Sequence, residues 1–134
     1  MPRLYREAPL NSIWEGSGNI MGLDVMRAMG RETESLDALI DEIEQARGGN
    51  NNLDRAIDQL KDELSDHDNL EARMRSVTES IALTLQGALL TQHAPNFVAD
   101  AFCASRLGNR YCGAFGTLPK GVDFDEIINR SNPR

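Results

Sequence analysis

The chain has 134 residues, with 14 Lys and Arg against 21 Asp and Glu, so its formal net charge is −7. This length favours one domain, and the charge excludes a globally basic nucleic-acid binder but not a local basic patch. Cys103 and Cys112 are too few for a disulfide scaffold, and with two scattered histidines they do not match a zinc site. No apolar run approaches the ~18 residues that a membrane span needs, and no signal peptide pattern begins the chain. We therefore expect a cytoplasmic protein without a metal site.

The first residues differ in character from the rest of the chain. Residues 1–19 contain Pro2, Pro9, Tyr5 and Trp14, and we predict that they form an extended N-terminal arm. Residues 20–134 are predicted to form a single helical domain. A helical bundle does not usually begin with such an arm, which indicates a fragment of a longer protein.

Residues 14–19 (WEGSGN) combine the side-chain types that a ligand site uses. A helix is predicted to follow at once, with a stripe of Ile20, Leu23, Met26 or Arg27, and Met29. Ser17 is placed to cap this helix, and free amides at a helix start attract phosphate. Glycines here let a backbone approach a ligand closely. Desolvation beside Trp14 would raise the pKa of Glu15, as a general base near neutral pH requires. From the residues alone, a simple capping turn with Trp14 in the core and Glu15 exposed explains the same pattern.

Residues 31–66 read as an acidic helical hairpin, because they hold four basic and eleven acidic side chains, the whole charge imbalance. Apolar residues recur with helical spacing on either side of Gly48-Gly49, and an Asn after the glycines is a good N-cap. The two predicted stripes are Leu36, Leu39, Ile40 and Ile43, then Leu53, Ala56, Ile57, Leu60 and Leu64. The acids fall off these stripes, which favours a solvated face over an interaction surface.

A longer helix is predicted from Asp66 or Asp68 to just before Pro95, and Gly87 within it marks a close helix contact. Its stripe is Leu70, Met74, Val77, Ile81, Leu85 and Ala88-Leu89. Pro95 opens the next helix, with Phe97, Val98, Ala101, Phe102 and Ser105 on one side. Residues 107–122 read as a loop, and Asp123 and Glu126 fit a capping box before a helix over 124–129. No segment alternates with a period of two, so we predict an all-α, up-down helical bundle.

Residues 3–19 (RLYREAPLNSIWEGSGN) closely resemble the start of the C-terminal region of acyl-CoA dehydrogenases, in the alkylation-response (AidB-like) branch. Residues 97–106 and 115–119 resemble the same branch. The resemblance implies the all-α bundle of that C-terminal domain, and nothing in the chain resembles the family's N-terminal helical or central β domain. It therefore implies a C-terminal fragment of a longer FAD-dependent flavoprotein that oxidises an acyl-CoA CH–CH bond.

The resemblance also implies roles for the motif residues. Glu15 matches the base that abstracts the α-proton of the thioester, and Trp14 matches the aromatic residue beside it. Gly16, Ser17 and Asn19 stand in the FAD-contacting part, where Thr and Gln are usual instead of Ser17 and Asn19. FAD is expected in the longer protein but not in this chain alone. The implied partners are acyl-CoA, an electron acceptor and further copies of the protein, because the family commonly forms oligomers through these helices.

DNA binding, in an alkylation-protection role, is the alternative that the same branch implies. Arginines outside the acidic hairpin could form a local basic surface, and phosphate contacts need several such side chains on one face. The candidates are Arg27, Arg73, Arg75, Arg106 and Arg110. Ordinary surface arginines explain this set equally well.

Overall fold

The computed structural model describes residues 2–13, 18–108 and 116–132. In these residues it has seven α-helices, one 3-10 helix and no strand, which confirms the all-α prediction. The helices are α1 (Pro2–Glu7), α2 (Gly18–Arg31), α3 (Thr33–Glu44), α4 (Asn51–Ser65), α5 (Leu70–His93), α6 (Asn96–Arg106) and α7 (Phe124–Ser131), with the 3-10 helix at Ala8–Ser12. None of the helices in the described ranges is long and apolar enough to cross a membrane.

Helix α5 is the centre of the fold, because α2, α3, α4 and α6 all pack against it. Its 24 residues extend ~36 Å, so one helix can contact four others along its length. Met74, Val77 and Ala88 of the predicted stripe are buried, and Ile81 and Leu85 pack half-buried against the core. The stripe ends sooner than predicted, since Leu89 is exposed.

The core lies where α3, α4 and α6 meet α5. Its buried members are Ile43, Ala46, Leu53, Ile57, Leu60, Ala88 and Cys103. Leu39, Ile40 and Leu64 pack against this core from the two predicted stripes. The helical period of the acidic segment therefore identified the buried faces of α3 and α4 correctly.

Asn50 caps α4, as the sequence predicts, and also connects two helices. Its Oδ1 accepts hydrogen bonds from the backbone amides of Asn52 (2.9 Å) and Leu53 (3.4 Å). Its Nδ2 donates to Asp100 Oδ1 of α6 at 2.9 Å. The preceding turn passes through Gly48 at φ 84°, a left-handed conformation that glycine adopts without strain.

Ion pairs connect α3 to α4 across the acidic hairpin. Glu44 accepts from Arg47 Nε at 2.5 Å and from Lys61 Nζ at 2.8 Å, and Arg47 also reaches Asp58 at 2.9 Å. The hydrogen bonds from Arg47 and Lys61 lower the pKa of Glu44 to about 2. The other acids placed off the stripes are exposed, namely Asp37, Asp41, Asp58 and Asp62. The acidic run is thus a solvated face with one internal ion-pair network.

Gly87 marks a close contact, as predicted. It is buried on α5, and a β-carbon built there would lie 2.8 Å from Leu107 Cδ1 and 3.3 Å from Leu53 Cδ1. Cys103 Sγ of α6 would lie 3.7 Å away. The missing side chain therefore lets α4 and α6 approach α5 at the same point.

Two predictions at the start of the chain are wrong. The arm is not extended, because residues 2–12 form α1 and the 3-10 helix. Pro2 and Pro9 lie in the first turns of α1 and of the 3-10 helix, where a backbone N–H would have no partner within the helix. The stripe assigned to the next helix begins too early, since Ile20 is 48% exposed and Gly22 is the buried residue of α2.

The predicted start of α5 and the predicted face of α6 also need correction. Asp66 Oδ1 accepts from the amide of Asp68, and Asn69 is left-handed at φ 51°, so the chain turns before α5 begins at Leu70. Helix α6 buries Ala99, Ala101 and Cys103, while Phe97, Val98, Phe102 and Ser105 are only half-buried. Of the buried residues, Cys103 lies at the close approach to Gly87 of α5, whereas Ala101 lines a cleft with Pro119 and Val122.

The end of the chain agrees with its predicted cap. Asp123 Oδ1 accepts from the amide of Glu126 at 3.1 Å, and α7 extends two residues beyond the predicted 129. Residues 116–122 of the predicted loop contain no helix, and residues 109–115 lie outside the described ranges.

Candidate functional site

The described part of the candidate site is the beginning of α2. Trp14, Glu15, Gly16 and Ser17 lie outside the described residues, so their predicted roles stay predictions. Gly18 and Asn19 form the first turn of α2, directly after the motif. The surroundings of these two residues are the structural evidence on the site.

Arg75 of α5 holds the beginning of α2. Its Nη1 donates to Asn19 Oδ1 at 3.0 Å, and a β-carbon at Gly18 would lie 3.2 Å from its Cζ. One turn further along α2, a β-carbon at Gly22 would lie 3.3 Å from the backbone N of Arg75. Glycines at i and i+4 therefore form a slot in which Arg75 and its backbone fit against α2.

A cleft of about 740 Å³ opens beside this contact, between α2 and the beginning of α5. Its size is within the ~300–1,000 Å³ usual for small-molecule sites. The residues that line it are Asn19, Leu23, His67, Asn69, Leu70, Glu71, Ala72, Met74 and Arg75. It mixes cationic, anionic and apolar side chains, so its composition alone does not select a ligand.

Asn19 carries a hydrogen-bond donor of a kind that could contact a flavin carbonyl. Arg75 occupies Asn19 Oδ1, and no residue in the described ranges accepts a hydrogen bond from Asn19 Nδ2. An amide N–H₂ is a donor of the kind that a flavin carbonyl accepts. Asn19 Nδ2 is therefore a donor that a ligand with a carbonyl acceptor could use.

Three of the five arginines predicted to contact DNA have partners within the described part of the chain. Arg27 pairs with Asp24 on α2, and Arg75 bonds Asn19. Arg73 pairs with Asp66 at 3.2 Å and donates to backbone oxygens of residues 66 and 68.

The last two members of this set lie near the end of α6. Arg106 is half-buried and lines a second cleft with Glu63 and Glu79, whereas Arg110 lies outside the described residues. The carboxylates lower the positive potential around Arg106, so this position is a weak candidate for phosphate contact.

The described ranges contain no group of three His, Cys, Asp or Glu side chains that could hold a metal ion.

The sequence analysis assigned Arg75 to DNA and did not predict its contact with Asn19. The signal that indicates this contact is the spacing of Gly18 and Gly22, which marks a bare strip along α2.

Comparison with known proteins finds relatives of the chain. No protein-family model matches the chain. It is 38% identical over 110 residues to AidB of Escherichia coli (strain K12), which its name places among the acyl-CoA dehydrogenases. The chain is a relative of the AidB-like acyl-CoA dehydrogenases. This result confirms the resemblance on which the sequence assignment depends.

A second relative agrees with the AidB-like assignment. The chain is 28% identical over 131 residues to acyl-CoA dehydrogenase family member 11 of Caenorhabditis elegans. The two matches include 82% and 84% of this chain but only 20% and 21% of the relatives. The chain thus spans about a fifth of the length of these AidB-like and related proteins.

Proposed function

We propose that this chain supplies the base motif, part of the FAD site and oligomer contacts of an acyl-CoA dehydrogenase-like flavoprotein. The observation that carries the proposal is the 38% identity to AidB over 82% of the chain. The contact of Arg75 with Asn19 supports it, because it fixes the backbone immediately after the motif.

In this proposal Glu15 removes the α-proton of an acyl-CoA thioester. Trp14 excludes water beside the carboxylate, which raises its pKa towards the working pH. Asn19 offers its Nδ2 as a hydrogen-bond donor, and Gly16 and Ser17 are the other residues of the chain that contact FAD. FAD, when bound, supplies the redox chemistry by accepting the β-hydrogen as hydride.

The experiment uses a longer flavoprotein that carries this chain together with the family's other domains. Acyl-CoA should bleach its bound flavin, and Glu15→Gln should abolish the bleaching while FAD stays bound. Glu7→Gln, on exposed α1, is the matched control and should bleach like the wild type. Unchanged bleaching in Glu15→Gln would remove the assignment of the base.

The first residues of the chain are proposed as its contact surface with neighbouring protein. Leu4, Tyr5, Leu10 and Ile13 are 64%, 83%, 47% and 78% exposed. Such an exposed apolar set favours a protein partner, including a second copy of the chain. Light scattering of the isolated chain should show self-association, and a monodisperse monomer with quenchable Trp14 would contradict it.

The isolated chain should bind FAD weakly or not at all, because it offers only Ser17, Asn19 and a helix N-terminus and lacks the family's domain that is expected to cover the flavin ring. A purified chain that retains stoichiometric flavin would contradict this expectation. DNA binding stays the alternative function and is placed second, since three of the five arginines have partners within the chain. The cytoplasmic location also remains a prediction.

A further inference from the structure

The hydrogen bond between Arg75 and Asn19 fixes which atom of the Asn19 amide faces Arg75. Guanidinium groups only donate hydrogen bonds, so the atom of Asn19 that faces Arg75 has to be Oδ1. The amide nitrogen Nδ2 consequently points away from Arg75. One arginine on α5 thus determines which way the Asn19 donor is presented.

The same arginine is fixed relative to α2 at two points. Its guanidinium lies against Gly18, and its backbone N lies against Gly22, one helical turn away. A side chain larger than hydrogen at Gly22 would meet the backbone of Met74 and Arg75 at 3.3 Å. The beginning of α2 therefore cannot shift along α5 without breaking the contact of Arg75.

We propose that Arg75 is a positioning residue, which docks the beginning of α2 on α5 and so orients the Asn19 donor that directly follows residues 14–17. The inference rests on the proposed function, in which those residues form the base motif and contact FAD. Phosphate binding, the role that the sequence assigned to Arg75, would compete with this contact for the same guanidinium.

The test uses Trp14, the chain's single tryptophan, as a reporter inside the motif. Arg75→Ala should raise the quenching of Trp14 by acrylamide and lower its fluorescence anisotropy, towards the values of the urea-unfolded chain. The net contribution of a typical hydrogen bond corresponds to about a fivefold change in the ratio of docked to undocked states of the α2 start, and we expect this value because the contact is exposed. Arg75→Lys keeps a donor and should restore part of the effect.

Arg73→Ala is the matched control, since Arg73 lies on the same helix but donates to residues 66 and 68. It should leave the Trp14 signals unchanged, and the far-ultraviolet circular dichroism of all variants should match the wild type. If Arg75→Ala does not fold, Asn19→Ala removes the other half of the contact and should give the same loosening of Trp14.

An unchanged Trp14 signal in Arg75→Ala, or an equal change in Arg73→Ala, would overturn the proposal. The readout involves neither flavin nor thioester. Persistent flavin bleaching in Glu15→Gln would therefore refute the proposed function and leave the Trp14 fluorescence result valid. A rigid Trp14 in Arg75→Ala would refute the positioning role and leave the base assignment standing.

Discussion

Replacing Gly87 by alanine tests the closest contact in the core. A β-carbon there would lie 2.8 Å from Leu107 Cδ1 and 3.3 Å from Leu53 Cδ1. Leu107 is half-buried and can rotate, but Leu53 is fully buried and has no free space to enter. Overpacking of this kind costs ~1–3 kcal/mol, and the better helix propensity of alanine returns ~1 kcal/mol. We expect the free energy of unfolding to fall by about 1 kcal/mol.

Gly30 provides the matched control for this substitution. It also lies in a helix, but a β-carbon there would meet nothing within 4 Å. Gly30→Ala should therefore raise the free energy of unfolding by about 0.5 kcal/mol, less than the full propensity gain because it is near the end of α2.

Urea unfolding followed by circular dichroism measures both effects. A loss of 1 kcal/mol moves the midpoint down by about 0.5 M for a small domain, with the slope unchanged. The two substitutions should move the midpoint in opposite directions. If Gly87→Ala stabilises the chain as much as Gly30→Ala does, the contact at Gly87 is not as close as the structure shows.

The remaining predictions concern charge and thiol chemistry. The pKa of Glu44 lies below its usual 4.5, at about 2, so its ion pairs stabilise the fold above pH ~4.5 and lose this effect as the pH falls towards 2. Glu44→Gln should thus be less stable by up to ~1 kcal/mol at pH 6 and equal to the wild type near pH 2, as urea unfolding at each pH will show. Burial raises the pKa of the Cys103 thiol. In a Cys112→Ser variant, Cys103 should therefore react with iodoacetamide only when the chain is unfolded. Rapid labelling of the native protein would show that Cys103 is at the surface. A labelled DNA duplex should show no anisotropy change at ~150 mM salt, and three phosphate contacts at low salt would give a log–log slope of roughly −2.7. Tight binding that survives high salt, or that is unaffected by alanine at both Arg106 and Arg110, would contradict the charge distribution described above.

The helices were predictable because their evidence is local. Apolar spacing located the buried faces of α3 and α4, and a side chain such as Asn50 or Asp123 identified its helix start. The glycine in a long apolar helix likewise indicated the crossing at Gly87. Each of these signals depends on residues within a few positions of each other.

The wrong or missing predictions concern features that depend on more than the local apolar spacing. The buried face of α6 depends on how closely α6 approaches α5. This distance cannot be predicted from the sequence of α6 alone. The contact between Asn19 and Arg75 joins residues 56 positions apart: the spacing of Gly18 and Gly22 marks a bare strip on α2, but no local pattern identifies Arg75 as the residue that packs there. Asn69 ends one turn and begins α5 by adopting a left-handed conformation that only a few per cent of non-glycine residues show.

The amide of Asn50 performs two tasks that no other side chain can combine at this position. Serine would cap α4 with its one hydroxyl oxygen and has no second atom in the place of Nδ2 to reach Asp100, and aspartate would place two carboxylates about a hydrogen-bond length apart. Glutamine would carry both groups at the wrong distance from the helix start. Deamidation of this one residue would therefore leave α4 capped but turn its hydrogen bond with Asp100 into a repulsion between two carboxylates, so that chemical ageing of the protein would weaken one contact between α4 and α6 without removing the cap.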